Sequence, residues 1–326
     1  MKQFQYQRAS TQQGVLEAIS KPGTKIIAGG TNLVDHMKHG LIAPDKLVDI
    51  THLPLKGITP TKTGLHLGTL ALNSVVSEDA LVLQKQPLLS MALKAGASPQ
   101  LRNMATVGGN MMQRTRCTYF YDTTMPCNKR EPGTGCGAME GYNRMHAIFG
   151  ASAQCIAVHP SDMCVALAAL DATVIVVGKK GQRHIPFTEF HRLPDDHPEL
   201  DNHLAKDEMI IGVDIPDNNF AKNSYYLKVR DRQSYAFALV SVAAALDLSG
   251  GTIKKARLAM GGVAHKPWRL FEAEKFMEGK SVTEETFKQA AQIALQGAKA
   301  YEYNAFKLKL APASIVEALK QASGLA

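Results

Sequence analysis

The chain has 326 residues, of which 45% are hydrophobic and 20% are charged. This composition is typical of a folded globular protein of two or three domains, and it excludes a coiled coil or a largely disordered chain. No run of about 18 apolar residues predicts a transmembrane helix. The formal net charge is +8. Because the basic residues are dispersed, they favour a surface facing acidic partner subunits over nucleic-acid binding.

The first third of the chain predicts alternating strands and helices. The predicted strands are 25–28, 47–50 and 65–67. A helical pattern starts at Leu33, and Pro44 ends it. Residues 73–96 predict two helices, separated at Pro87 because proline breaks a helix.

The second half of the chain predicts further strands and helices of an α+β kind. The predicted strands are 172–177, 210–215, 235–246 and 253–263. An apolar helix follows Asp162, and the polar residues 190–207 predict a surface loop. Ser281 and Glu284 have the spacing of a capping box for a helix at about 283–298. Pro312 is expected in the first turn of the last helix.

Two glycine-rich segments have the chemistry of phosphate loops. They are 25–33 (KIIAGGTNL) and 106–110 (TVGGN). Glycines let backbone N–H groups approach an oxyanion, and a helix start adds a positive dipole. Neither segment matches the Rossmann or P-loop fingerprint. A single loop of this kind is typical of an ordinary turn, whereas two of them could hold a diphosphate from both sides.

The cysteines lie in one part of the chain, mostly within an irregular segment at 111–158. They are Cys117, Cys127, Cys136, Cys155 and Cys164. One cluster in a long chain indicates a local metal site rather than a disulfide scaffold. The first four have the spacing C-x9-C-x8-C-x18-C, without the C-x2-C pairs of zinc ribbons. An iron–sulfur cluster, zinc and free thiols all remain open at this point. Cys164 lies in the apolar helix and is interpreted as a core residue.

Longer motifs resemble one protein family. KIIAGGTNL, ATVGGN, HPSD at 159–162 and KVRDRQSYAFALVSVA at 228–243 resemble the flavin subunits of the xanthine dehydrogenase/carbon monoxide dehydrogenase family. RTRCTYFYDTTMPCNKR and GGVAHKPWR resemble more specifically the FAD and 4Fe–4S subunits of bacterial, periplasmic-type aldehyde oxidoreductases. The resemblance extends over essentially the whole chain, and the cysteine segment is its most specific part.

The resemblance implies an α+β fold with two domains. Residues 1–218 would form a two-part FAD-binding domain of the vanillyl-alcohol-oxidase type (PCMH-like), with subdomains at about 1–54 and 55–218. A 4Fe–4S insertion would occupy about 111–158. Residues 219–326 would form the α+β C-terminal domain of molybdenum hydroxylase flavin subunits.

The resemblance also implies function and site residues. The chain would be an FAD- and 4Fe–4S-containing electron-transfer subunit, with no catalytic residue for substrate chemistry. It would join a large molybdenum-cofactor subunit and a small 2Fe–2S subunit, and pass electrons to an external acceptor as aldehydes become carboxylic acids. The implied FAD-binding residues are Lys25, Ile26, Ile27, Ala28, Gly29, Gly30, Thr31, Asn32, Leu33, Thr106, Gly108, Gly109, Asn110, Ser161, Asp162 and Lys228. The implied cluster ligands are Cys117, Cys127, Cys136 and Cys155.

Several alternatives stay open. Within the family, the chain could be the flavin subunit of a hydroxybenzoyl-CoA-reductase-like complex. In a different class, it could be a flavin-free zinc scaffold. An independent flavin oxidase is disfavoured because no catalytic acid–base pair is recognisable. The N-terminal MKQFQYQRAS has no apolar signal region, so we expect a cytoplasmic protein, or a periplasmic one exported folded with a signal-bearing partner.

Overall fold

The structure is a computed structural model that describes residues 1–325. It contains three β-sheets, each backed by helices, and three apolar clusters, one of which extends from the five-stranded sheet into the C-terminal sheet at Ala243, Ala245 and Ala259. Within the described residues, no helix combines the length and the apolar character needed to cross a membrane.

The N-terminal unit is a small parallel sheet with two helices. Its elements are β1 (Gln5–Arg8), α1 (Gln12–Ile19), β2 (Thr24–Ile27), α2 (Leu33–Lys38) and β3 (Lys46–Asp49). The strand order is β1-β3-β2. The predicted β2-α2-β3 unit is confirmed, although α2 ends before Pro44 because Gly40 takes a positive φ of 72°. Strand β1 was not predicted, since its side chains are mostly exposed.

The second unit is a five-stranded antiparallel sheet covered by helices. Its first elements are β4 (Ile58–Pro60), β5 (Gly64–Gly68), α3 (Asn73–Glu78), α4 (Ala80–Lys85), α5 (Pro87–Ala95), α6 (Pro99–Arg102), α7 (Val107–Met111) and α8 (Thr118–Tyr121). Its later elements are α9 (Asp162–Ala169), β6 (Thr173–Gly178), β7 (Gly181–Pro186), α10 (Phe187–Phe190) and β8 (Met209–Pro216). The strand order is β4-β5-β8-β6-β7. Helix α9 is buried along its whole length, which explains its uniformly apolar sequence. Pro87 begins α5, as its break in the pattern predicts.

The C-terminal unit is a four-stranded antiparallel sheet with three helices. Its elements are β9 (Ser224–Val229), β10 (Val240–Ser249), β11 (Thr252–Gly261), β12 (Trp268–Arg269), α11 (Phe271–Met277), α12 (Glu284–Ala294) and α13 (Lys307–Ser323). The strand order is β12-β11-β10-β9. Gly250 and Gly251 both have positive φ in the tight turn that joins β10 and β11 into a hairpin.

Three predictions for the C-terminal unit were wrong in detail. The strand expected at 235–246 begins only at Val240, because the residues before it form a loop beside a large cleft. Helix α12 is capped by the Thr283 side chain, which accepts from the Thr286 amide, rather than by Ser281. Helix α13 begins before Pro312, so that this proline lies inside the helix.

Candidate functional site

A long cleft lies where the three units meet. Its volume is about 1,020 Å³, at the top of the usual range of about 300–1,000 Å³ for small-molecule pockets. It therefore suits an extended ligand of dinucleotide size. The walls come from the loop after β2, the start of α7, the start of α9, strand β9 and the loop before β10.

The residues predicted to bind FAD divide into two groups. Those that line the cleft are Gly29, Gly30, Thr31, Asn32, Gly109, Asn110, Ser161, Asp162 and Lys228. Those that do not line it are Lys25, Ile26, Ile27, Ala28, Leu33, Thr106 and Gly108. Most of the second group belong to β2, to the first position of α2, or to the buried side of the second glycine segment. They support the loops whose next residues face the cleft.

The first glycine loop is packed tightly against the second. A Cβ atom added to Gly29 would lie 1.8 Å from the Met104 carbonyl oxygen, so only glycine fits there. Gly30 has a φ of 72°, in the left-handed region that glycine tolerates best. The Asn73 amide donates to the Ala105 carbonyl oxygen at 2.9 Å. These contacts bring both glycine-rich segments to one wall of the cleft.

The second glycine loop opens the short helix α7. The Thr106 hydroxyl is buried and accepts a hydrogen bond from the Gly109 amide at 3.2 Å, which caps the helix. The Gly108 amide donates to the Thr69 carbonyl oxygen at 2.9 Å. A Cβ atom on Gly108 would lie 2.0 Å from the Thr69 hydroxyl. Thr106 and Gly108 therefore shape the loop, while Gly109 faces the cleft.

Ser161 caps helix α9 and ties it to the second loop. Its hydroxyl accepts from the Cys164 amide at 3.1 Å and donates to the Asn110 amide oxygen at 2.5 Å. Asp162 is the first residue of α9 rather than its cap. Its carboxylate lies 2.8 Å from the Lys228 ammonium and accepts from the Tyr226 hydroxyl at 2.8 Å. This buried ion pair joins α9 to β9 at the cleft.

Several cleft residues were missed by the sequence analysis. They include Lys38, Arg102, Arg116 and Arg232, whose cationic side chains suit an anionic ligand. The guanidinium of Arg116 also lies 5.6 Å from the centre of the Phe237 ring. Tyr235 lines the cleft with a positive φ of 53°. These residues lie in irregular segments, where no periodic pattern indicates which way a side chain points.

A second, smaller pocket lies beside the cleft and contains thiols. Cys117, Cys127, Cys136 and Cys155 all line it, and no disulfide joins them in the described chain. The backbones of Cys127 and Cys136 pair directly across a short antiparallel bridge. The irregular segment thus brings together four cysteines that are spread over 39 positions of sequence.

The thiol spacing does not match a mononuclear zinc site. With Zn–S distances of about 2.3 Å, four sulfurs around zinc would lie roughly 3.8 Å apart. Among residues 1–325, no three of the four sulfurs lie within 4.8 Å of one another. A cubane cluster places one iron at each thiolate and so needs wider separations. Four thiol donors that are not drawn together as zinc requires are compatible with an iron–sulfur cluster.

Three ligand-type atoms do approach within 4.8 Å elsewhere, in the core. They belong to His159, Cys164 and His191. The two imidazole rings pack against each other with centroids 4.2 Å apart, and Cys164 is fully buried in α9. Side-chain packing accounts for this group, in line with the interpretation of Cys164 as a core residue.

Burial controls the protonation of the thiol pocket. It raises the pKa of Cys117 to about 12 and that of Cys155 to about 11, so that both are neutral thiols at pH 7 without a cation. The backbone amides of Tyr119 and Phe120 lie near the Cys117 sulfur and partly offset the rise in its pKa. A metal centre would therefore displace protons on binding and find N–H donors already in place.

A partly buried network of three charged side chains lies beside the thiol pocket. Asp201, from the segment predicted as a surface loop, lies 2.6 Å from the Lys129 ammonium and 2.6 Å from the Arg114 guanidinium. Lys129 lines the thiol pocket with its side chain only 2% exposed. Burial opposes ionisation of Asp201, but the two cations outweigh it and hold its pKa below the usual value. The loop is thus a structural cover rather than a free surface segment.

The cleft and the thiol pocket share a stretch of chain. Arg116 and Thr118 line the cleft, while Cys117 between them lines the thiol pocket. A third, largely apolar cavity of about 170 Å³ is bounded by Cys117 on one side and by Ser161 and Asp162 on the other. A cluster and a cleft-bound cofactor would therefore be close neighbours.

These features define a candidate cofactor-binding protein, with a cation-lined cleft of dinucleotide size next to a pocket lined by four thiols. Residues 2–218 match the family model described as the FAD binding domain in molybdopterin dehydrogenase. Residues 225–322 match the CO dehydrogenase flavoprotein C-terminal domain. The chain belongs to the FAD-binding medium subunits of the molybdenum hydroxylase family, which are oxidoreductases. The family resemblance of the motifs is thereby confirmed.

Individual relatives agree with this assignment. The chain is 44% identical to the aldehyde oxidoreductase FAD-binding subunit PaoB of Escherichia coli (strain K12). The alignment of 326 residues covers 99% of each chain. It is 28% identical to the glyceraldehyde dehydrogenase medium chain of Sulfolobus acidocaldarius, over 89% of this chain and 86% of the relative. Its fold resembles that of carbon monoxide dehydrogenase from Hydrogenophaga pseudoflava, with a TM-score of 0.78 at 22% identity over 99% and 98% of the two chains.

Proposed function

We propose that this chain binds FAD and one 4Fe–4S cluster and serves as the electron-transfer flavin subunit of a molybdenum-dependent aldehyde oxidoreductase. The observation that carries the proposal is the convergence of four cysteines on one pocket beside the dinucleotide-sized cleft. The relative named as an aldehyde oxidoreductase subunit supports the substrate class.

In this proposal the cleft residues bind and orient FAD. The Gly30 amide approaches the diphosphate, the absence of a side chain at Gly109 leaves room for it, and Thr31 and Asn110 are its side-chain partners. Lys228, held by Asp162, lies at the wall formed by β9. FAD when bound supplies both one-electron and two-electron chemistry. The chain itself provides binding, geometry and charge.

The four thiol-pocket cysteines hold the cluster as thiolates. Their amide donors and the buried Lys129 offset the negative charge that four thiolates bring. The aromatic residues Tyr119 and Phe120 line the same pocket and keep water away from it. In this proposal the chain stores and passes on electrons, and substrate conversion takes place on another subunit of the complex.

The partners in this proposal are a large molybdenum-cofactor subunit and a small 2Fe–2S subunit. Aldehyde oxidation would occur in the large subunit, and electrons would reach an external acceptor through this chain. The formal net charge of +8 suits association with acidic partner surfaces.

Cofactor analysis of the co-expressed complex, purified without oxygen, tests the proposal. We expect one FAD in this chain, and about four irons and four sulfides beyond those of the 2Fe–2S subunit. Expressing this chain alone, followed by iron–sulfide reconstitution, assigns the additional iron to it. Zinc in place of iron, with no flavin, would overturn the proposal in favour of a scaffold role.

Substrate assays of the assembled complex test the proposed role in aldehyde oxidation. Aldehydes should be oxidised with an artificial electron acceptor, and flavin bleaching under anaerobic conditions should follow aldehyde addition. Reduction of aromatic thioesters without aldehyde oxidation would instead assign the complex to the hydroxybenzoyl-CoA-reductase type.

A further inference from the structure

A histidine contacts one of the four thiols directly. The Nε2 atom of His146 lies 3.1 Å from the Cys117 sulfur. The His146 side chain is buried, and its other ring nitrogen has no hydrogen-bond partner within residues 1–325. Within residues 1–325, the Cys117 sulfur is therefore the one polar partner of the His146 ring.

The chemistry of the ligand sets the direction of this hydrogen bond. A thiolate that ligates iron carries no proton and can only accept. The Nε2 atom must therefore carry the hydrogen and donate to the Cys117 sulfur, which leaves Nδ1 as the unprotonated nitrogen. Ligation of Cys117 would fix one tautomer of His146.

The backbone of His146 is held by the C-terminal domain. Its carbonyl oxygen accepts from the Lys307 ammonium at 2.9 Å and from the Asn304 side-chain amide at 3.2 Å. Its amide donates to the Asn143 carbonyl oxygen at 3.0 Å. Lys307, Asn304 and Asn143 are fully buried. The ring is therefore positioned by contacts that do not involve the cysteines.

We propose that His146 donates an N–H···S hydrogen bond to Cys117 and thereby raises the reduction potential of the cluster held by the four thiolates. One-electron reduction adds one negative charge to the core and its sulfur ligands. An N–H donor stabilises that added charge more than it stabilises the oxidised form, and hydrogen bonds to sulfur are a recognised control of cluster potential. This inference rests on the proposed 4Fe–4S cluster.

The test compares three variants of the co-expressed complex. His146→Phe removes the donor and keeps a flat ring, whereas His146→Gln retains an N–H donor. His265→Phe is the control, because His265 is also buried but neither of its ring nitrogens has a partner in the described residues. Iron and sulfide are measured first, and the midpoint potential then follows from an EPR-monitored reductive titration with dithionite.

We expect the Phe variant to keep its iron and to show a midpoint shifted to lower potential. The Gln variant should recover part of that shift, and the His265→Phe control should match the wild type. If the wild type lacks the additional iron, the proposed function fails. If the wild type and His146→Phe both contain iron and share one midpoint potential, the inference about His146 is overturned while the proposed function stands.

A second measurement covers the case in which the Phe variant does not assemble its cluster. Pulsed EPR of the reduced wild-type complex, labelled with ¹⁵N-histidine, should show a weak nitrogen coupling that is lost in His146→Gln. The absence of any histidine coupling in the wild type would contradict the hydrogen bond directly.

Discussion

Asp162 and Lys228 form a buried ion pair across the boundary between the two domains, with 2.8 Å between the carboxylate oxygen and the ammonium nitrogen. Their side chains are only 7% and 4% exposed. Lys228 also donates to the Ala95 carbonyl oxygen at 3.1 Å. The pair holds the start of α9, the end of α5 and strand β9 together at the wall of the cleft.

Replacing Lys228 with methionine should destabilise the chain and reduce its flavin content. Breaking a buried ion pair by removing one partner typically costs about 3–5 kcal/mol, because the other charge stays buried without compensation. Denaturant unfolding and the flavin-to-protein ratio measure the two effects. Lys85→Met is the matched control, since its pair with Asp217 is largely exposed and worth less than about 1 kcal/mol. Equal losses in both variants would contradict the role of the buried pair.

Alanine variants of two glycines with the same φ should distinguish a loss of stability caused by backbone strain from a loss of FAD binding. Gly30 and Gly40 both have a φ of 72°, so that an alanine at either position costs about 1–2 kcal/mol. Gly30 lines the cleft, whereas a Cβ atom at Gly40 would meet nothing within 4 Å. A Cβ atom at Gly30 would also lie 3.1 Å from a side-chain carbon of Val34. We therefore expect Gly30→Ala to lose at least as much stability as Gly40→Ala, and only Gly30→Ala to bind FAD more weakly. Flavin titration of the apoprotein checks this, and equal FAD affinity in the two variants would remove Gly30 from the binding loop.

Cysteine replacements should divide the five thiols into two groups. Cys117→Ser removes a proposed iron ligand and should lower iron and sulfide content well below that of the wild type. Cys164→Ala changes only the core of α9, and should keep iron while losing some stability. Elemental analysis combined with the visible spectrum measures both outcomes. Iron loss from Cys164→Ala at retained fold would show that the ligand set is assigned wrongly.

The local parts of the site could be predicted from sequence, and the long-range parts could not. The glycine loops can be predicted because a strand, a pair of glycines and a helix start follow one another directly in the sequence. The grouping of the cysteines can be predicted because four of them lie in one irregular segment. The partnership of Asp162 with Lys228 spans 66 positions, and no local pattern indicates it. Helix α13 begins at Lys307, which is buried although lysine is usually exposed. Its sequence therefore did not indicate a helix start five residues before Pro312.

The same limit applies to the irregular segments of the cleft. Arg116 lies in the irregular cysteine segment, yet it lines the cleft, next to Cys117 in the thiol pocket. Residues 190–207 have the polar composition of a surface loop, but Asp201 turns inward because two cations, the buried Lys129 and the partly buried Arg114, attract it. Charge pairing of this kind is a property of the folded chain and becomes visible only when distant segments meet.

Buried histidines should make the chain unstable in mild acid. Burial lowers the pKa of His191 to about 4 from its ordinary 6.5, and its Nε2 atom donates to the Met111 carbonyl oxygen at 2.9 Å. The native state therefore keeps this ring neutral while the unfolded chain protonates it below pH 6.5. Unfolding takes up a proton in this range, so the free energy of unfolding falls as the pH drops from 6.5 towards 4 and is unaffected by this group above 6.5.

His191→Asn should remove the contribution of this ring to the pH dependence of the unfolding free energy. From the two pKa values, His191 accounts for about 2 kcal/mol of the loss in unfolding free energy between about pH 7.5 and about pH 5. Denaturant unfolding at both pH values measures the difference, and the variant should show a smaller one even if it is less stable overall. Exposed His184 provides the control, since His184→Asn should leave the difference unchanged. An unaltered pH dependence in His191→Asn would mean that its ring is already protonated in the folded chain, and that the acid lability comes from the other buried histidines, His159 and His265, whose pKa values burial also lowers.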